Sequence, residues 1–132
     1  MDDKAIASQR TSISMTVDLK KYRIRIHKAV LHILGDPQYI KLLVSPYDME
    51  VAIQAVTRAH SGDQVHKIPG KELSSDSSIE IYSHAFISRL CELDSSLLSG
   101  RSYRIDGHEI PELHLAVFSL KTIREVQMVE HL

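Results

Sequence analysis

The chain of 132 residues is expected to be an α+β protein, built from two pseudo-symmetric β-α-β-β halves that share one core. Three features lead there. Short alternating segments such as Tyr22-Arg23-Ile24-Arg25-Ile26 carry the period of half-buried strands. Two other segments switch to helical spacing, one near residue 30 and one near residue 88. Finally, the same order of signals occurs twice along the chain.

The elements follow in order. Residues 1 to about 11 are polar and read as a loose terminus. Ser12-Ile13-Ser14-Met15-Thr16-Val17 alternates as a strand. Residues 22–26 form the clearest strand, with both isoleucines on one face and both arginines on the other. Ala29, Val30, Ile33 and Leu34 fit a short helix, stopped by Gly35 and by Pro37 just beyond. Tyr39 to Val44 and Met49 to Val56 read as a hairpin around Ser45-Pro46-Tyr47-Asp48. Residues 57–78 hold turn chemistry and make the expected loop between the halves, with Val65-His66-Lys67-Ile68 a short strand inside it.

The pattern then returns. Ile79-Glu80-Ile81-Tyr82 is a strand, and Ser83 is placed to cap a helix through Ala85, Phe86, Leu90, Cys91 and Leu93. Ser102 to Ile105 is a strand, Asp106-Gly107-His108 a turn, and Leu113 to Leu120 the returning strand. Ile123, Val126 and Val129 point to a C-terminal helix or tail over 121–132. The halves span about 12–56 and 79–120, and overlaying them matches Ile24 and Ile26 with Ile79 and Ile81. Val30, Leu31 and Leu34 then meet Phe86, Ile87 and Leu90, and Met49, Val51 and Ile53 meet Leu113, Leu115 and Val117. Each half is too small to fold alone, so the whole chain is read as a single domain.

Composition narrows the function. Hydrophobic residues at 43% and charged residues at 25% are those of a globular protein. No apolar run is long enough to span a membrane, and Met1-Asp2-Asp3-Lys4 opens no secretory signal. The single cysteine, Cys91, reads as a buried inert thiol in a cytoplasmic protein.

The arrangement of Arg23-Ile24-Arg25-Ile26-His27-Lys28-Ala29, then Leu34-Gly35-Asp36 and a hairpin, resembles the AbrB-type swapped-hairpin family. Its two-repeat members have an MraZ-like organisation. The resemblance covers residues 22–56, and 79–120 more loosely. It implies a barrel-like dimer or pseudo-dimer that binds DNA and regulates transcription.

Charge distribution allows the same reading, beside that of a solvated strand face whose Lys and Arg guard an exposed edge and that of head-to-tail self-association. Net charge is −1, yet residues 1–34 carry seven Lys or Arg against three Asp, while residues 72–114 carry three Arg against eight acids. Lys20, Lys21, Arg23, Arg25 and Lys28 form a basic edge suited to phosphates. A non-enzymatic DNA-binding protein is therefore expected, with double-stranded DNA and a second copy of the chain as partners. The other reading is a protein–protein module, an adaptor or inhibitor, that binds no nucleic acid. No catalytic motif, phosphate-binding glycine loop or zinc-type spacing occurs, so neither cofactor nor metal is expected despite eight histidines. Tyr22 beside Arg23, and Tyr103 between Arg101 and Arg104, are the ring–cation neighbours of the chain, and both tyrosines are read as structural.

Overall fold

A computed structural model describes residues 12–57, 65–68 and 78–127. Nine strands and two helices alternate along them. They are β1 (Ser12–Asp18), β2 (Arg23–His27), α1 (Lys28–Ile33), β3 (Tyr39–Ser45), β4 (Glu50–Val56) and β5 (Val65–Lys67). There follow β6 (Ser78–Tyr82), α2 (His84–Leu93), β7 (Ser102–Ile110), β8 (Leu115–Ser119) and β9 (Arg124–Val126).

The expected α+β class is not what forms. Strands account for 51% of the structure and helices for 22%, and every strand belongs to one antiparallel sheet. Its order is β5-β3-β4-β8-β7-β1-β2-β6, with β9 added beside β7. The sheet curls into a nearly closed barrel of eight strands. The helices are connectors between strands rather than a separate layer. Each gives its apolar face to the common core, α1 through Val30 and Leu31 and α2 through Phe86, Ile87 and Leu90.

Local chemistry explains the helix ends. The His27 ring accepts the Ala29 N–H at 3.1 Å and caps α1. Gly35 ends it in the left-handed region at φ 87°, with its N–H bonded to the His32 carbonyl. Ser83 caps α2 by accepting the Phe86 N–H at 3.2 Å.

The strand registers carry a local two-fold. β2 pairs with β6, matching Ile24 to Ile81 and Ile26 to Ile79. β4 pairs with β8, matching Ala52 to Val117 and Ile53 to Ala116. Reciprocally, β1 pairs with β7, and β5, in the stretch between the two expected halves, pairs with β3.

The hairpin overlay read from sequence is one residue out. Met49 corresponds to His114, not Leu113. Both residues sit in the left-handed region, at φ 56° and 54°. Their N–H groups bond the carbonyls of Pro46 and Pro111, and their own carbonyls accept from Leu120 and Ala55. Ala116, Val117 and Phe118 are all buried, so β8 lacks the alternation that would have fixed its phase.

Two further expectations change. Asp106-Gly107 is not a turn, because β7 runs unbroken to Ile110, and the chain reverses at a 3₁₀ turn over Pro111–Leu113. The expected helix after residue 120 is instead a 3₁₀ turn over Leu120–Thr122 followed by β9, while residues 128–132 lie outside the described part. Thr122 holds this break: its hydroxyl donates to the Ser119 carbonyl at 2.7 Å and accepts the Asp106 N–H at 2.9 Å. β8 and β9 are thereby two pieces of one partner for β7. Among the described residues no helix is long and apolar enough to cross a membrane.

Candidate nucleic-acid interface

The outer face of β9, β7, β1, β2 and β6 carries Arg23, Arg25, Arg104 and Arg124. Register defines two adjacent rows across it. One reads Arg124, Arg104, Thr16, Arg25, Glu80, and the next reads Val126, Ser102, Asp18, Arg23, Tyr82. Lys20 and Lys21 stand in the turn that joins β1 to β2, at one end of this face.

Asp18 builds that end. Its Oδ1 accepts the N–H groups of Lys20 at 2.9 Å and Lys21 at 3.3 Å, which closes the turn and leaves both residues exposed. Its Oδ2 accepts Arg23 Nε at 2.9 Å. Arg23 Nη1 lies 3.0 Å from Glu80, and Arg25 Nη2 lies 2.7 Å from the same carboxylate oxygen. The Arg23 and Asp18 side chains are each only 7% exposed. Burial alone would lower the Arg23 pKa. Hydrogen bonds with Asp18 and Tyr82, and the charges of Glu80 and Asp18, outweigh it and raise the pKa above its ordinary value.

The five residues singled out from sequence therefore divide. Lys20 and Lys21 are exposed at the turn. Arg25 is about one-third exposed and faces outward. Arg23 is spent inside the molecule, tying β1, β2 and β6 together. Lys28 opens α1, half-buried, and lines neither groove described below.

Sequence reasoning missed Arg124 and gave Arg101 and Arg104 no role. Arg104 is exposed opposite Thr16. Arg101 pairs with Glu125 at 2.6 Å, and that bond raises its pKa; Arg124 pairs with Asp106 at 2.9 Å. Nothing in sequence brings residue 104 beside residue 16, and only the β1–β7 ladder does so. Tyr103 is structural: it is buried and its hydroxyl accepts the Leu98 N–H at 2.9 Å.

Two grooves meet along this face, at Val126 and Gln127. One, of about 500 Å³, is edged by Lys20, Lys21 and Arg101, and the other, of about 480 Å³, by Arg25, His27 and Arg104. Both are open and polar-walled, unlike the concave apolar sites that hold small molecules. Seven cations (Lys20, Lys21, Arg23, Arg25, Arg101, Arg104, Arg124) share the region with four carboxylates (Asp18, Glu80, Asp106, Glu125), an excess of three positive charges on a chain that is net negative.

Other chemistry is thin among the described residues. No group of three or more His, Cys, Asp or Glu is placed to hold a metal ion. Cys91 is partly buried, and burial first, then the charge of Asp94, pushes its thiol pKa up. Comparison of the chain with family models, curated proteins and solved structures finds no match. Neither the swapped-hairpin resemblance nor a role in transcription gains support from that side.

Proposed function

We propose that this is a non-enzymatic nucleic-acid-binding protein that holds phosphates on the outer face of β9, β7, β1 and β2. The observation that supports this reading is the local positive excess, with Arg124, Arg104 and Arg25 in one register row and Lys20 and Lys21 at one end of the face. The contacts differ from those expected on β2 alone, since Arg23 is committed to Asp18 and Glu80. Surface ion pairs such as Arg124–Asp106 are weak in water, so a phosphate can compete for the guanidinium. A cytoplasmic location and a homodimer belong to the same proposal.

A titration of labelled duplex and single-stranded oligonucleotides at about 50 and 200 mM salt tests the reading, with light scattering on the same sample. Binding should fall steeply with salt. Arg104→Ala should weaken it across all sequences and reduce the salt slope by about one. No binding at the lower salt would end this proposal and favour a protein partner. In that case the exposed hairpin-tip residues Tyr47 and Leu113, 97% and 55% exposed and at opposite ends of the β4–β8 pair, are the first to mutate, one at a time.

A further inference from the structure

Three aromatic side chains stand at the lysine end of the basic face. Tyr22, in the β1–β2 turn, is 39% exposed, and its ring stacks on His84 with centroids 4.3 Å apart and planes 18° from parallel. Tyr82 is 61% exposed and lies opposite Arg23 in register. The platform is braced. The Tyr22 carbonyl accepts the Ser83 N–H at 3.1 Å, and His84 Nδ1 lies 3.3 Å from Ser88 Oγ.

Tyr22 also holds φ at 53°, a region that disfavours any residue with a side chain. A ring kept there, stacked and still open to solvent, is not explained by core packing. Lys20 and Lys21 immediately precede it in the same turn. Rings beside cations are what an unpaired base and its phosphate require: the base lays its flat face on the ring and the phosphate meets the ammonium. A duplex keeps its bases stacked inside and offers no such face.

We infer that the partner of this surface is single-stranded nucleic acid, with unpaired bases stacking on Tyr22 and Tyr82. This inference rests on the phosphate-binding reading given above. Anisotropy titrations of the full chain with a short oligothymidylate, a short oligouridylate and a DNA duplex of equal length test it. At matched salt a single strand should bind more tightly than the duplex. Tyr22→Ala and Tyr82→Ala should each weaken it about fivefold or more, whereas Tyr22→Phe and Tyr82→Phe should stay within about twofold of the parent. Thermal melts confirm that each variant is folded.

Duplex binding as tight as single-strand binding, with folded alanine variants unaffected and Arg104→Ala still weakening every probe, would overturn the stacking and leave the phosphate face standing. No binding to any probe would overturn both.

Discussion

Arg23 and Arg25 alternate on one strand, yet they meet opposite environments. Arg25 shares only Glu80 and remains partly in water, while Arg23 is enclosed by Asp18, Glu80 and Tyr82. Arg23→Ala would leave Asp18 buried without its cationic partner, held by the Lys20 and Lys21 N–H groups alone. A loss of about 3–5 kcal/mol is expected by urea denaturation, against about 1 kcal/mol or less for Arg25→Ala. Equal effects would show that the buried network carries no weight. Alternation in the sequence put both arginines on the outward face. It could not reveal that Asp18 and Glu80 together would enclose one of them.

His66 makes a second prediction. Its Nε2 is buried and, among the described residues, has no hydrogen-bond partner, and burial lowers its pKa. Above the ordinary histidine value of about 6.5 it is neutral whether folded or unfolded, and its contribution to stability is complete. As pH falls below that value the unfolded chain takes up the proton first, so stability declines until the folded-state pKa is passed. Urea midpoints measured from pH 7.5 downward should fall less in His66→Gln than in the parent. Parallel curves would sink the argument.

β7 is the element that sequence misread most instructively. Asp-Gly is a strong turn signal, but Gly107 is paired on both sides, to Ile13 of β1 and Phe118 of β8. The glycine is needed for space rather than for a turn. A Cβ there would collide with the Val117 carbonyl oxygen and come within 2.7 Å of the Phe118 ring. Gly107→Ala should therefore destabilise the fold by at least about 1–3 kcal/mol, seen as a lowered melting temperature. An unchanged melt would mean that β8 can move aside freely. Elements ruled by local chemistry were legible: the Gly35 stop, the Ser83 cap and the Pro46 turn all follow from residues within one turn of the chain. β9 was not, since its spacing mimics a helix and only pairing with β7 makes it a strand.

For the molecule as a whole, most strand and helix segments were readable one by one, but the fold class was not. Two helical segments suggested a mixed architecture, because periodicity reports each element alone and not how many ladders it joins. The pairings that close the sheet connect distant residues: Met15 to Ile105, Ile24 to Ile81, Ile53 to Ala116. The basic face has the same origin, since its rows exist only once β7 lies against β1 and β9 against β7.

The pairing of early strands with late ones bears on folding during synthesis. When the ribosome has released residues up to 57, β1 still lacks β7, β2 lacks β6 and β4 lacks β8. The nascent first half then presents unpaired edges and waits for β6, β7 and β8. Such non-local pairing makes folding slow and leaves the newborn polypeptide dependent on protection from aggregation until β8 emerges.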